Sequence, residues 1–206
     1  MLRLDALRSG SIVLDLCCGA GDFTFWIAEQ RPDVHVIGID NAPPMLDEAV
    51  AIASEKKIKN VSFLCKSVIE LKKEDLHLPK QFPTIKADQP LAAMIVSCLG
   101  FTTMENYVEV FRNTLPLLSE GGTYLIMDMY REPKILNRVA NFFIEGILLG
   151  ASSFRRCFDP LQEMLAEYQI SKNTIADDIF RIPTMSPYIA RGVKKSTKGT
   201  SRAIAL

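Results

Sequence analysis

The sequence predicts an α/β fold: a doubly wound, mostly parallel sheet covered by helices on both faces. Three observations carry that expectation. Short apolar runs alternate with helix-patterned segments from the start of the chain. The first run closes on a glycine-bearing loop, and the second closes on an acid, Asp40. With 206 residues there is material for one full domain of this kind and not for two of ordinary size.

The elements follow in order. Ser11–Leu16 (SIVLDL) reads as a buried strand, since it is short, apolar and stopped by glycines. Asp22–Gln30 (DFTFWIAEQ) reads as a helix with Asp22 as its cap, ended by Arg31-Pro32-Asp33. Val34–Asp40 (VHVIGID) is the second strand. Asn41 is expected to cap the next helix, with Pro43-Pro44 in its first turn, where a missing N–H costs nothing; the helix continues through Met45–Lys56. Val61–Cys65 is a third strand, and residues 69–90, with three prolines, read as a surface connection. Leu91–Ser97 is a fourth strand. Glu105–Leu118 has helical spacing and is expected to stop at Ser119–Gly122, before a fifth strand, Thr123–Asp128.

The final third is less regular. Pro133–Leu149 is a strongly apolar helical stretch, and Asp159–Tyr168 reads as another helix, capped by Asp159 with Pro160 behind it. Ile179–Met185 and Pro187–Val193 are expected to pair as an antiparallel edge hairpin turning at Ser186-Pro187. The basic tail from 194 to 206 is expected to be a flexible terminus.

Composition narrows the function. Basic and acidic residues balance at 24 each, which argues against a nucleic-acid partner. Five cysteines without a C-x-x-C pair fit neither a disulfide framework nor a zinc site, so reduced thiols, no metal and a cytoplasmic location are expected. The opening MLRLDALRSG has no apolar core of a secretory signal. The most apolar stretch, Val139–Ala151, is broken by Glu145 and falls short of the roughly 20 residues that span a bilayer. No transmembrane segment is expected; peripheral membrane contact stays open.

The chemistry is concentrated in Asp15-Leu-Cys-Cys-Gly-Ala-Gly-Asp22. Gly19 and Gly21 let the backbone turn and approach a ligand just ahead of a helix N-terminus. A dinucleotide fingerprint would place a third glycine where Thr24 stands. The flanking acids Asp15 and Asp22 would repel a pyrophosphate; they suit a ligand that carries an ammonium and a sulfonium and no phosphate. Asp40 is placed to accept the hydroxyls of an adenosine ribose, or simply to cap the following helix; beside the glycine loop, ribose binding is the favoured reading.

The ordered segments VLDLCCGAGD, VIGID, FLCKSVIEL and LPLLSEGGTYLIMD resemble the motifs of class I S-adenosylmethionine-dependent methyltransferases. LDLCCGAGDF is most similar to the ubiquinone/menaquinone-biosynthesis C-methyltransferases. The resemblance covers residues 10–130 and implies a single methyltransferase domain over 1–206, with a Rossmann-like sheet of seven strands ending in the antiparallel edge hairpin. It implies S-adenosyl-L-methionine as cofactor. Asp15 and the backbone of Leu16, Cys17, Gly19 and Gly21 would hold its methionine part, and Asp40 its ribose. Asn41 and Met45 would line the adenine, Ser67 and Val68 its edge, and Ser97 and Cys98 would pass near the methyl group. The family often has Asp where Ser67 stands, so a weaker, uncharged acceptor is implied at the adenine amine. Relatives also carry a helical segment ahead of the first strand that helps to close the pocket; here only a short segment precedes it, and residues 133–158 are the alternative lid, or else a core helix.

Other residues carry plainer readings. His35 lies inside a strand and reads as structural, and His77 as solvent-exposed. Phe23, Phe25 and Trp26 read as helix-to-sheet packing, and Cys17 and Cys18 as compact loop residues with no adjacent base. Tyr130, Arg131 and Glu132 follow the fifth strand at the active edge. No acid–base dyad is visible, so no catalytic residue is named. The expected function is methyl transfer to a small, lipophilic, quinone-like acceptor. A non-catalytic binding protein of the same fold, an RNA or protein methyltransferase, and an NAD-dependent oxidoreductase are the rivals; the oligomeric state is left open.

Overall fold

The computed structural model describes residues 3–76, 92–130, 165–172 and 186–194. Five parallel strands form its centre: β1 (Ile12–Leu16), β2 (His35–Asp40), β3 (Val61–Cys65), β4 (Ala92–Cys98) and β5 (Leu118–Tyr130). Two further strands complete the edge: β7 (Ser186–Lys194) pairs antiparallel with β5, and β6 (Leu165–Lys172) pairs antiparallel with β7. The sheet has the order β3-β2-β1-β4-β5-β7-β6. The chain reverses direction across the sheet between β1 and β4, the switch point where α/β proteins bind ligands at the carboxyl ends of strands.

Every residue of β1 is buried, because both faces of the sheet are covered. Its alternation sorts the core in two. Ile12, Leu14 and Leu16 face one cluster with Val110, Phe111 and Tyr124, while Val13 faces another with Ile27 and Ala28. Asp15 shares the side of Val13, the side covered by helix α1 (Asp22–Gln30). That placement decides its later contact.

The helices start differently from expectation. α1 is capped by Gly21, at φ 88°, and Asp22 is its first helical residue, an acid well placed against the helix dipole. Helix α2 (Pro43–Glu55) is preceded by Ala42 as cap, not Asn41, which is exposed. The Ala42 N–H donates to Asp40 Oδ1 at 2.9 Å, which ties the cap residue to the strand end, and no side chain caps the helix itself.

Helix α3 (Tyr107–Thr114) is shorter than expected and passes into a 3-10 turn, Leu115–Leu117, at Pro116, which has no N–H to continue the helix. Ser119–Gly122 do not end that helix. They already belong to β5, whose pairing with β4 jumps from Ala92↔Leu118 to Met94↔Thr123, so the glycines form a bulge with Gly121 at φ 73°.

At the far edge, β7 contains the expected Pro187–Val193, but its partner is β6; Ile179–Met185 lie outside the described residues. Leu165–Tyr168, expected as the end of a helix, are strand. The sequence Glu167-Tyr168-Gln169-Ile170-Ser171 alternates polar and apolar, a period of two that the preceding Leu-Gln-Glu-Met-Leu run hides. The proposed lid over 133–158, the tail beyond Lys194, and His77 likewise fall outside the described residues.

Candidate active site

The carboxyl ends of β2, β1 and β4 lie side by side, and the residues that follow them build one site. After β1 the loop turns through left-handed conformations at Cys17 (φ 58°), Gly19 (φ 54°) and Gly21 (φ 88°). A side chain at Gly21 would meet Phe25 at 3.0 Å in addition to that φ, so glycine is required there. The loop is held by Cys18 N–H donating to Ile39 O at 3.1 Å and Gly21 N–H donating to Cys18 O at 2.9 Å.

Asp40 joins two of the loops. Its Oδ2 accepts the Gly19 N–H at 2.9 Å and its Oδ1 the Ala42 N–H at 2.9 Å. It is half-buried, and a carboxylate has lone pairs beyond these two bonds. Both readings of Asp40 are therefore compatible: it organises backbone and retains accepting capacity.

Asp15 is buried at the bottom of the loop. Its Oδ2 accepts the Thr24 hydroxyl at 2.6 Å, while its Oδ1 has no hydrogen-bond partner among the described residues. Burial pushes its carboxyl up to about 7, the Thr24 bond opposes that, and the Asp40 charge adds to it. The same field acts on the thiols. Cys17 is pushed up to about 12 by burial and by Asp40, Asp15 and Asp128, and Cys98 to about 11 by burial, Asp15 and Asp128. The Cys18 thiol is also raised, by burial first and then by Asp15 and Asp40. The loop is thus electronegative and its cysteines stay protonated, as the absence of an adjacent base in the sequence implied.

Two residues on the adenine side of the expected site stand apart from this floor. Asn41 is exposed, and Met45, 40% exposed, reaches within 3.4 Å of a side chain placed at Gly19. Ser67, half-buried, and Val68, buried, follow β3, where Ser67 O accepts the Glu70 N–H. On the other flank Ser97 is fully buried and its hydroxyl has no partner among the described residues. Gly100 packs so closely behind it that an added Cβ would stand 2.7 Å from Ser97 Oγ and 2.8 Å from Cys17 Cβ.

Three residues were not anticipated. Thr24 was noted only as a missing glycine, yet it holds Asp15. Asp128 stands near the carboxyl end of β5, an acid visible in the sequence; its Oδ2 accepts the Thr102 N–H at 3.0 Å and its Oδ1 the Thr102 hydroxyl at 2.8 Å. Leu99, directly after β4, is 57% exposed at φ 58°, a conformation leucine rarely takes, and its N–H donates to Met127 O at 2.8 Å. Nothing in the residue type announces it. His35 is buried with Nε2 2.9 Å from Ser62 Oγ, as befits a structural residue. Tyr130 is the last residue of β5; Arg131 and Glu132 lie outside the described residues.

A doubly wound sheet with a glycine-bearing, acid-lined loop at its switch point defines a small class of α/β proteins. The chain belongs to the methyltransferase-domain family, whose model matches residues 7–172. It is 27% identical over 128 residues to a demethylmenaquinone methyltransferase of Listeria monocytogenes, covering 62% of this chain and 48% of the relative. It is 30% identical over 165 residues to an arsenite methyltransferase of Halobacterium salinarum, covering 79% of this chain and 38% of the relative. The chain thus spans less than half the length of these curated relatives. A phosphoethanolamine N-methyltransferase 2 of Haemonchus contortus, solved with S-adenosyl-L-methionine, shares the fold with a TM-score of 0.72 at 12% identity, covering 94% of this chain and 51% of that one. No helix among the described residues is long and apolar enough to cross a membrane.

Proposed function

We propose that the chain transfers a methyl group from S-adenosyl-L-methionine to a small, lipophilic acceptor. The observation that carries the cofactor is the buried Asp15, whose Oδ1 lacks a partner among the described residues, beside a loop already made negative by Asp40 and Asp128. A cation satisfies that atom and a phosphate does not. Asp15 and the loop backbone from Leu16 to Gly21 would hold the methionine part, Asp40 the ribose, Asn41, Met45, Ser67 and Val68 the adenine, and Ser97 would border the methyl group. The bound cofactor supplies an activated methyl whose departure leaves a neutral thioether, so its leaving group needs no protonation. The chain's own contribution is alignment of the acceptor and exclusion of water.

The acceptor class rests on Leu99, an open apolar side chain beside β4, held in a strained conformation by a tight backbone. Relatives named for demethylmenaquinone and for arsenite offer two acceptor chemistries. The lipophilic one is favoured here. The half-buried thiols of Cys17 and Cys98 are held protonated, and no cluster of three His, Cys, Asp or Glu set to hold a metal occurs among the described residues.

The test is transfer of labelled methyl by the full chain to a short-chain naphthoquinol, to arsenite and to total RNA, in parallel. Labelling of the quinol alone is expected. Labelling of arsenite or RNA alone would replace the acceptor reading, and cofactor binding without transfer to any acceptor would favour a binding protein. A cofactor that fails to bind at all would overturn the whole proposal.

A further inference from the structure

The deepest polar contact of the loop is one the motif residues do not explain. Strand alternation places Asp15 on the side of β1 that α1 covers, and Thr24, in the first turn of α1, is fully buried against it. The 2.6 Å bond from its hydroxyl serves one carboxylate oxygen and leaves the other with none. The surrounding groups give no further help. Asp40 from β2 opposes the Asp15 charge, and Cys17 and Cys18 from the loop and Cys98 from β4 feel that charge as uncharged thiols. Asp128 from β5 acts on the same thiols, and Asp22 opens α1 on the exposed side. No cation of the described residues acts on Asp15, so its negative charge is opposed by burial and by Asp40 and favoured only by Thr24.

We propose that Thr24 is a positioning residue for the cofactor: its hydroxyl fixes Asp15 and favours the carboxylate form, so that the arriving cation displaces the Asp15 proton to solvent. This rests on the cofactor reading above and deepens it. The balance is simple: the O–H bond of Asp15 breaks, its electron pair stays on the carboxylate, and the proton leaves to water. Burial pushes the Asp15 carboxyl up to about 7, so the coupling falls in the pH range where it can be measured.

Calorimetric titration of S-adenosyl-L-methionine into the full chain, in pairs of buffers differing in ionisation enthalpy, reads the released proton directly. At pH 6 the cofactor's own amine, with its pKa of about 7.7–8, stays protonated and does not contribute. Nearly one proton released per cofactor is expected there, with affinity rising close to tenfold between pH 5 and 6. Thr24→Val keeps the shape and removes the donor. It should weaken binding about tenfold at pH 7, recover most of that loss by pH 9, and be rescued by Thr24→Ser. Binding with no proton release at pH 6 would overturn the proposal while leaving the cofactor reading intact. So would a Thr24→Val deficit that is the same at every pH, the mark of a merely structural role. A wild-type chain that binds no cofactor at any pH would sink the underlying reading instead.

Discussion

The two ends of the sheet are finished in opposite ways. At the amino end, side chains bind loose backbone carbonyls one after another. The Asn60 amide donates to Ala28 O, Arg31 O and Val34 O at 3.0, 3.3 and 3.0 Å. The Arg31 guanidinium holds Leu4 O and Leu7 O and pairs with Asp33, and the Lys194 ammonium donates to Leu115 O and Leu118 O. At the carboxyl end, Asp15 Oδ1 and Ser97 Oγ are buried without partners among the described residues. Polar groups left unsatisfied in a well-packed protein carry a cost of about 1–3 kcal/mol each. Both lie at the end of the sheet where the cofactor is proposed to bind, so stability given up there would be recovered by the ligand.

Four substitutions test that contrast. The largest effect is expected from Asp40→Ala, which should weaken S-adenosyl-L-methionine about a hundredfold, near 3 kcal/mol, in calorimetric titration. An unchanged affinity would make Asp40 a backbone fastener alone. Asn60→Ala should cost about 2 kcal/mol in urea unfolding and leave cofactor affinity unchanged, since it strips carbonyls far from the site.

Asp15→Asn should do the reverse, stabilising the empty chain by about 1–2 kcal/mol at pH 8. The sign follows from linkage. Burial holds the Asp15 carboxyl near 7, above its unfolded 3.8, so the folded state binds the extra proton and stability falls as pH rises between those values. Burial also holds His35 near 4, below its unfolded 6.5, and its contribution falls as pH drops through that range. The two slopes oppose one another between about pH 4 and 6.5. Removing Asp15 should therefore unmask the acid sensitivity of His35 in a melting-temperature series. A flat profile in the variant would show that His35 is not held neutral by burial as described. The smallest effect belongs to Ser97→Ala, where loss of a partnerless hydroxyl should change stability by less than about 1 kcal/mol, on the stabilising side. A loss of 2 kcal/mol or more would reveal a bond to that hydroxyl and erase half of the contrast.

The central strands were legible because their signal is local. Apolar runs with glycine or acid at the end specify β1 and β2, and the bounds of α1 and β3 were read to the residue. What failed depended on partners distant in sequence. Leu165–Tyr168 become strand because β7 offers a ladder, and Ser119–Gly122 become a bulge because β4 continues beside them. Asn41 does not cap α2, because the helix starts one residue later, with Ala42 as cap tied back to Asp40. In the site, the acids and glycines could be read directly from the loop. The Thr24–Asp15 bond could not, since it needs the strand's alternation and the helix's docking together. Leu99 depends on a backbone angle that its side chain does not favour.

The bridge that Asp40 makes between Gly19 and Ala42 has one further consequence. It sets the loops after β1 and β2 in place, so that, if the cofactor binds where proposed, little chain ordering is left to oppose association. Cofactor exchange should then be fast and nearly rigid-body, with affinity differences among variants of the surrounding loop appearing in dissociation rates. Loss of the Asp40 carboxylate alone would slow arrival as well, because it would leave the two loops to find one another first.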